Sequence, residues 1–134
     1  LTKEEPMTGQ QIYELASSFL YEIDGEDEDS KRFAVGFINI LLQECLNCEN
    51  SMRLFRGKET LNEAPYIKSL AEEIPYQPEL TRVAFPYGVA SWFFQEALDN
   101  FQAENYRSKY LSAVNEASKL NSGIAEDYYS CLSL

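Results

Sequence analysis

The chain has 134 residues, of which 45% are hydrophobic and 13% aromatic, and it carries a formal net charge of −11. This length suits one domain with its own core, and such an apolar and aromatic content excludes an intrinsically disordered chain. Nine acidic residues and one basic residue fall within residues 1–30, so the negative charge is concentrated there. A concentrated negative field repels phosphate and therefore disfavours nucleic acids and anionic membranes as partners.

Export and membrane insertion are not predicted. The apolar runs are shorter than the about 18 to 20 residues that a membrane span needs, and residues 1–10 lack the apolar stretch of a secretory signal. Three cysteines, Cys45, Cys48 and Cys131, are an odd number for a disulfide framework. We therefore expect a soluble intracellular protein with reduced thiols.

The first helix is predicted from a capping signal. Thr8 and Gln11 have the spacing of a capping box, and the apolar residues after them recur at intervals of three and four. This pattern predicts a helix over about residues 8–21, preceded by a flexible start over residues 1–7. An acidic run over residues 24–29 follows, and its carboxylates are expected to cap the second helix and to oppose the positive end of its dipole.

The second helix has the clearest amphipathic stripe in the sequence and is predicted over about residues 28–50. Residues 51–77 break the rhythm with Pro65 and Pro75, which indicates a long irregular loop. One short turn is predicted in it, around residues 67–73. A loop of this length in a compact domain is usually functional or forms an interface.

A small basic cluster lies at the start of this loop and consists of Arg53, Arg56 and Lys58. The favoured interpretation is a solvated surface. A docking spot for an acidic partner is the alternative.

The second half of the chain predicts two more helices. One covers about residues 78–98 and is expected to kink or restart at Pro86, because proline removes a backbone donor and clashes with the preceding turn. The next begins at Asn100 and ends before Asn121, which leaves residues 121–134 as a C-terminal arm that docks on its own core or on a neighbour. The predicted fold is all-α: a small bundle of four main helices in one domain over residues 1–134, with a long Pro-containing loop and this arm.

The residues for catalysis are not evident. The chain has no histidine, which removes the commonest general acid/base and the commonest neutral metal ligand. Cys45 and Cys48 form a C-x-x-C motif, but it lies near the end of a helical stripe, where buried structural thiols are expected. Zinc needs four ligands in a structural site, and only Cys131 remains to help. No catalytic residue, cofactor or metal site is predicted, and we expect that the protein is not an enzyme.

Contact residues are more evident. The aromatic side chains of the third helix span more than one face, which suits either a large aromatic core or a subunit interface. The loop, this helix and the arm supply the interface candidates, which are Tyr66, Ile67, Leu70, Ile74, Tyr87, Trp92, Tyr128 and Tyr129.

Residues 67–114 resemble the C-terminal half of the head–tail connector proteins of long-tailed phages and prophages. That pattern has a linker ending in E-I/L-P, a segment L-x-x-x-x-L-P-Y-G-L-A, an acidic helix end and a closing helix with F-x-x-x-Y-x-x-x-L. The matching positions are Leu70, Glu73, Ile74, Pro75, Leu80, Phe85, Pro86, Tyr87, Gly88, Val89, Ala90, Asp99, Tyr106, Tyr110 and Val114.

The resemblance implies a small helical protein without an active site that assembles as a ring beneath the portal and joins the head to the tail. Portal and tail-side proteins are then the expected partners, the chain is a conditional homo-oligomer, and its location is the bacterial cytoplasm or the virion. The acidic residues 24–29 are expected to line the lumen of the ring, where they let DNA pass without sticking. An intracellular helical adaptor or regulatory protein that binds a single partner is the alternative.

Overall fold

The computed structural model describes residues 6–20 and 27–132, with side chains described up to Lys119. Within these residues the protein is all-α, as predicted, and the only extended pairing is an isolated bridge between Thr8 and Glu73. The helices are α1 (Gly9–Ser17), α2 (Glu28–Glu44), α3 (Leu46–Phe55), α4 (Phe85–Glu96) and α5 (Asn100–Leu132), with a π-helical turn (Glu79–Ala84) leading into α4. No helix of the described residues combines the length and the apolar character needed to cross a membrane.

The predicted caps of α1 and α2 are confirmed. The amide of Gln11 donates to the Thr8 hydroxyl at 3.2 Å, and the amide of Thr8 donates to Oε1 of Gln11 at 2.9 Å. Asp27 accepts from the amide of Asp29 at 3.1 Å, which places a carboxylate at the positive end of α2. Residues 24–26 of the acidic run lie outside the described residues.

α1 ends earlier than the predicted residue 21. The Ser18 hydroxyl donates to the carbonyl of Leu15 at 2.5 Å, within the last turn of the helix. A serine side chain that bonds the backbone in this way competes with the helical ladder, which is a local reason for the helix to stop.

The single second helix predicted over residues 28–50 is wrong, because the chain forms two helices that meet at Cys45. The backbone of Cys45 leaves the helical region (φ −99°, ψ 7°), yet its amide still donates to the carbonyl of Leu41 at 2.9 Å. The bend directs α3 against α5. α3 also extends to Phe55, so the irregular connection covers residues 56–78 and not residues 51–77.

α4 lies at the centre of the fold, in contact with α1, α2 and α5. It begins at Phe85, whose amide donates to the carbonyl of Leu80, five residues earlier, in the wider spacing of a π-helix. The helix therefore changes its hydrogen bonding one residue before Pro86, where the sequence predicted a kink or restart. Gly88 allows the close approach of α4 to its neighbours, since a Cβ there would lie 2.8 Å from Cδ2 of Leu41 and 3.0 Å from Cδ1 of Tyr110.

The separate C-terminal arm predicted over residues 121–134 is wrong, because α5 continues through this stretch to Leu132. The helix begins at Asn100, as predicted, but continues to Leu132 without ending before Asn121. The side chains of Tyr128, Tyr129 and Cys131 lie outside the described residues.

Candidate interaction surface

Two asparagines hold the irregular connection against α2 and α3 by its backbone. Asn39 on α2 donates to the carbonyl of Ile67 at 2.9 Å and accepts from the amide of Ile67 at 2.8 Å. Asn50 on α3 does the same for Leu61, with distances of 2.9 Å and 2.8 Å. Each side-chain amide thus binds a main-chain N–H and C=O together. The connection is fixed at two points, six residues apart.

A buried ion pair fixes the connection near its ends. Glu49 is fully buried, and its carboxylate accepts from Nε of Arg53 at 2.6 Å and from the amide of Gln77 at 2.7 Å. The remaining guanidinium nitrogens of Arg53 donate to the carbonyls of Glu59 at 3.0 Å and Pro75 at 2.5 Å. A buried carboxylate is tolerable because it is paired and hydrogen-bonded.

Within the basic cluster only Arg53 is an internal clamp, whereas Arg56 and Lys58 are exposed, in agreement with the solvated surface predicted from sequence. Arg56 pairs with the carboxylate of Glu79 and donates to Oε1 of Gln77 at 2.7 Å, and Lys58 lies 3.4 Å from the same oxygen. The Arg56 guanidinium holds the pKa of the Glu79 carboxyl below its ordinary value. These residues line a cleft of about 540 Å³, and the charged groups Arg53, Arg56 and Glu79 in it are engaged in the bonds just described.

Between the two asparagine clamps lie residues 62–66, hereafter the display loop. No described residue forms a backbone hydrogen bond with it, and Pro65 within it has no N–H to donate. Tyr66, an interface candidate, is 73% exposed at its end. A large aromatic side chain is thus held in solvent on a loop with fixed ends.

Three other candidates belong to the core of the monomer. Ile67, Leu70 and Ile74 are 2%, 7% and 0% exposed. The backbone around them pairs with the start of α1: the amide of Ile74 donates to the carbonyl of Met7 at 2.7 Å, and that of Gln10 donates to the carbonyl of Leu70 at 2.8 Å. These apolar side chains are thus buried within the single chain and need no second protein to cover them.

Tyr87 and Trp92 are partly buried on different sides of α4. Tyr87 stacks on Phe19 with ring centroids 5.5 Å apart and lies 6.1 Å from the ring of Tyr106. Trp92 stacks on Phe37 at 5.6 Å with an angle of 14° between the rings. The aromatic residues of α4 are therefore divided among several neighbours.

A cleft of about 570 Å³ lies between the end of α2, α4 and the start of α5, and Trp92 and Arg107 are among its lining residues. Nε1 of Trp92 and Nη1 of Arg107 are themselves buried from solvent and have no hydrogen-bond partner in the described part of the chain. Glu44, Gln95 and Glu104 also line the cleft.

The sequence predicted the break between α4 and α5 but not the exposed apolar side chains at this turn. Leu98 and Phe101 are 84% and 80% exposed there, and Leu98 has φ +60°. Its amide donates to the carbonyl of Gln95 and that of Asp99 to the carbonyl of Phe94, both at 3.0 Å. This is the Schellman arrangement, in which the left-handed position is usually glycine. Asn100 marks the start of α5 in the sequence, but no local pattern there indicates that Leu98 and Phe101 are exposed.

The two described cysteines, Cys45 and Cys48, are buried and form no disulfide, as expected. The Cys45 sulfur lies 3.2 Å from the Tyr110 hydroxyl, which donates to Oε1 of Glu44 at 3.0 Å. Burial raises the pKa of the Cys45 thiol to about 12, so it is protonated near neutral pH. Within the described residues no three acidic or cysteine side chains come together as a metal site would require.

Comparisons with known proteins give no further identification. No protein-family model matches the chain, and no curated protein or solved structure is significantly similar to it.

Proposed function

We propose that this chain is a non-catalytic structural protein that assembles into a ring and joins the portal and head of a long-tailed phage or prophage to its tail. The resemblance over residues 67–114 supports the proposal. In the structure these residues form the end of the connection, the π-helical turn, α4 and the first part of α5, which pack together. The pattern therefore corresponds to a contiguous structural unit.

The display loop is the observation that carries the proposal. Two asparagines and a buried ion pair hold the connection, and this frame leaves Tyr66 in solvent. Tyrosine is enriched in the residues that dominate protein–protein binding, and a preordered loop loses little conformational entropy on binding. Such a frame suits a protein that works by contact with other chains.

The chemistry of the described cysteines also favours a structural role. A thiol acts as a nucleophile through its thiolate, and burial raises the pKa of both Cys45 and Cys48. These sulfurs pack against α5: the Ser118 hydroxyl donates to Cys48 at 3.3 Å. They stabilise the bundle as small apolar groups.

The negative charge of the acidic run is compatible with the passage of DNA through such a ring. Within the described part of the acidic run, the side chains of Glu28 and Asp29 are 88% and 76% exposed at the start of α2. A lumen lined by these carboxylates would repel phosphate and leave DNA free to move. The proposal therefore includes no specific binding of nucleic acid. Its portal and tail-side partners are proteins, and the protein resides in the bacterial cytoplasm before assembly and in the virion afterwards.

The test is the state of association of the full chain. We expect a monomer at low concentration and closed rings at high concentration or with the portal, measured by mass photometry and negative-stain electron microscopy. A gene located between capsid and tail genes is the expected genomic position. A small oligomer of fixed size in all these conditions, or a gene in a metabolic operon, would contradict the proposal.

The exposed turn between α4 and α5 favours the second candidate, a helical adaptor that binds one partner. Leu98 and Phe101 present two large apolar side chains on one short turn. In that case a single partner is captured in a fixed ratio, and Phe101→Ala abolishes its capture. The same substitution leaves ring formation intact if the chain is a connector.

A further inference from the structure

We propose that the cleft of about 540 Å³ beside the basic cluster, hereafter the basic cleft, binds a short acidic and partly apolar segment of a partner protein. Lys58 and Arg82 pair with the carboxylates of this segment. Under the proposed function the partner is a portal or tail-side protein, and to that extent the inference rests on it. The cleft lies between the end of α3 and the π-helical turn, and its lining includes Arg53, Arg56, Lys58, Gln77, Glu79 and Arg82.

Positive charge is concentrated in the basic cleft, although the chain as a whole is acidic. Four of the 11 lysine and arginine residues of the chain line it, together with the carboxylate of Glu79. The buried Glu49, which pairs with Arg53, offsets one more of these charges and still leaves the cleft positive. A cleft lined by charges of one sign focuses its field and attracts the opposite sign. The complementary ligand is therefore acidic.

The walls of the basic cleft are held together by bonds within the chain. Arg53, near the end of α3, donates to the carbonyl of Pro75 at 2.5 Å, and Arg56 pairs with Glu79 at the start of the π-helical turn. The volume of the cleft lies within the range of about 300 to 1,000 Å³ that is usual for ligand sites. Because both walls are fixed in the free chain, binding requires little rearrangement.

Two of the lining cations are accessible to a carboxylate. Lys58 is exposed, and its ammonium, which has several N–H donors, lies 3.4 Å from Oε1 of Gln77. A contact through one N–H leaves the others for a ligand. Arg82 is exposed on the π-helical turn, and its guanidinium can bind both oxygens of a carboxylate. Arg53 and Arg56 are engaged within the chain, so they contribute to the field and not to direct pairing.

The rest of the lining favours a peptide over a nucleic acid. Pro6, Met7, Pro75 and Pro78 line the cleft beside the cations, and they can pack against apolar side chains that alternate with the carboxylates of a peptide. A nucleic acid carries a phosphate at every nucleotide, so its repulsion by the net charge of −11 grows with its length. A short segment with a few carboxylates meets much less of this repulsion.

A separate protein suits the basic cleft better than a second copy of this chain. Glu28 and Asp29, two exposed acids at the start of α2, already lie 3.8 Å from Lys31 and 3.5 Å from Arg32 of their own helix. A second copy would also bring its whole net charge of −11 towards the first. A partner with a local acidic segment brings the carboxylates without that repulsion.

Fluorescence anisotropy of the full chain at low concentration tests the site. The probe is a short fluorescein-labelled peptide of alternating glutamate and leucine, and we expect it to bind, whereas the same peptide with glutamine for glutamate and an oligothymidine of equal charge should not. Absence of peptide binding would overturn the inference and leave ring assembly, which is measured separately, untouched. Tighter binding of the oligothymidine would assign the cleft to nucleic acid, and dissociation of rings by the peptide would assign it to a second copy; either result would overturn the inferred partner.

A pair of charge reversals locates the binding. Lys58→Glu should weaken binding of the glutamate–leucine peptide about fivefold and leave the thermal midpoint unchanged, because Lys58 is exposed. Lys68→Glu is the matched control: it alters the net charge equally at an exposed lysine outside the basic cleft, and it should have little effect. Equal weakening by both would show that net charge, and not the cleft, governs binding. Amide chemical shifts that change with the peptide should cluster at residues 56–58 and 75–82, and changes elsewhere would refute the site.

Discussion

Leu98 shows how one residue can oppose the local preference of the chain. It occupies the left-handed position that ends α4, with φ +60°, and 84% of its surface is exposed. A left-handed conformation costs a residue with a Cβ about 1 to 2 kcal/mol, and exposure means that the side chain recovers little of this through burial. The strain at Leu98 is therefore tolerated because the surrounding structure fixes the turn.

Leu98→Gly should therefore raise the free energy of unfolding by about 1 kcal/mol, because glycine adopts this conformation without strain. Urea denaturation followed by circular dichroism measures the change. Leu98→Ala, which keeps a Cβ, is the matched control and should bring no such gain. An equal gain in both variants would show that the apolar side chain, and not the backbone, is responsible.

At the scale of single residues the sequence was informative wherever the interaction is local. Thr8 with Gln11 and Asp27 with α2 were predicted as caps, since a cap joins residues three or fewer positions apart. Asn39 and Asn50 were not recognised, because a polar residue on an amphipathic helix ordinarily indicates the solvent face. Their partners lie 28 and 11 residues away, beyond any local pattern.

At the scale of elements, the clamp between α3 and the connection depends on one ion pair. Arg53 is the only described cation bonded to the fully buried Glu49, and its side chain is 15% exposed. Removal of one partner from a buried pair leaves an uncompensated charge. The stability of the connection thus depends more on Arg53 than on any surface ion pair.

Arg53→Met should lower the free energy of unfolding by about 3 kcal/mol, since it leaves Glu49 buried and unpaired. Arg32→Met offers a matched control: Arg32 pairs with Asp29 at 3.5 Å in an exposed pair, and its loss should cost less than about 1 kcal/mol. Chemical denaturation of both variants gives the comparison. Equal losses would show that burial of the pair adds nothing.

The packing of α4 gives a second prediction at this scale. Gly88→Ala places a Cβ 2.8 Å from the side chain of the fully buried Leu41 and 3.0 Å from the Tyr110 ring, so it should cost about 1 to 3 kcal/mol. Gly36→Ala, in α2, meets nothing within 4 Å and should stabilise by about 0.5 to 1 kcal/mol. Thermal unfolding of the two variants should therefore shift in opposite directions.

The break at Cys45 could not be predicted because tertiary contacts decide it. The stripe that predicted one helix over residues 28–50 continues through Cys45, and only the packing of α3 on α5 explains the bend there. Pro86 did indicate the change at α4, since proline acts on its own backbone. Asn121 and Gly123 suggested an end to α5 that the chain does not take.

At the scale of the whole molecule, the net charge opposes the proposed association of copies. Each copy carries −11, so copies repel one another. Salt screens this repulsion. Electrostatic repulsion between the negatively charged chains should therefore weaken their association.

Raising the ionic strength from about 0.01 M to about 0.15 M shortens the screening length from about 30 Å to about 8 Å and should tighten association of the copies. Sedimentation velocity at fixed protein concentration measures the change, with sucrose of equal osmolality as the control for solvent exclusion. Weaker association in salt would show that opposite charges hold the copies together.

The asparagine clamps have a consequence for how such a protein can diversify. Asn39 and Asn50 bind only main-chain atoms of Ile67 and Leu61, so these four hydrogen bonds place no requirement on the side chains between them. Asn62, Glu63 and Tyr66 are exposed and can change in sequence while the bundle stays the same, whereas Ala64 packs against the core and is constrained. The surface that the loop presents can thus vary at three positions without redesign of the scaffold.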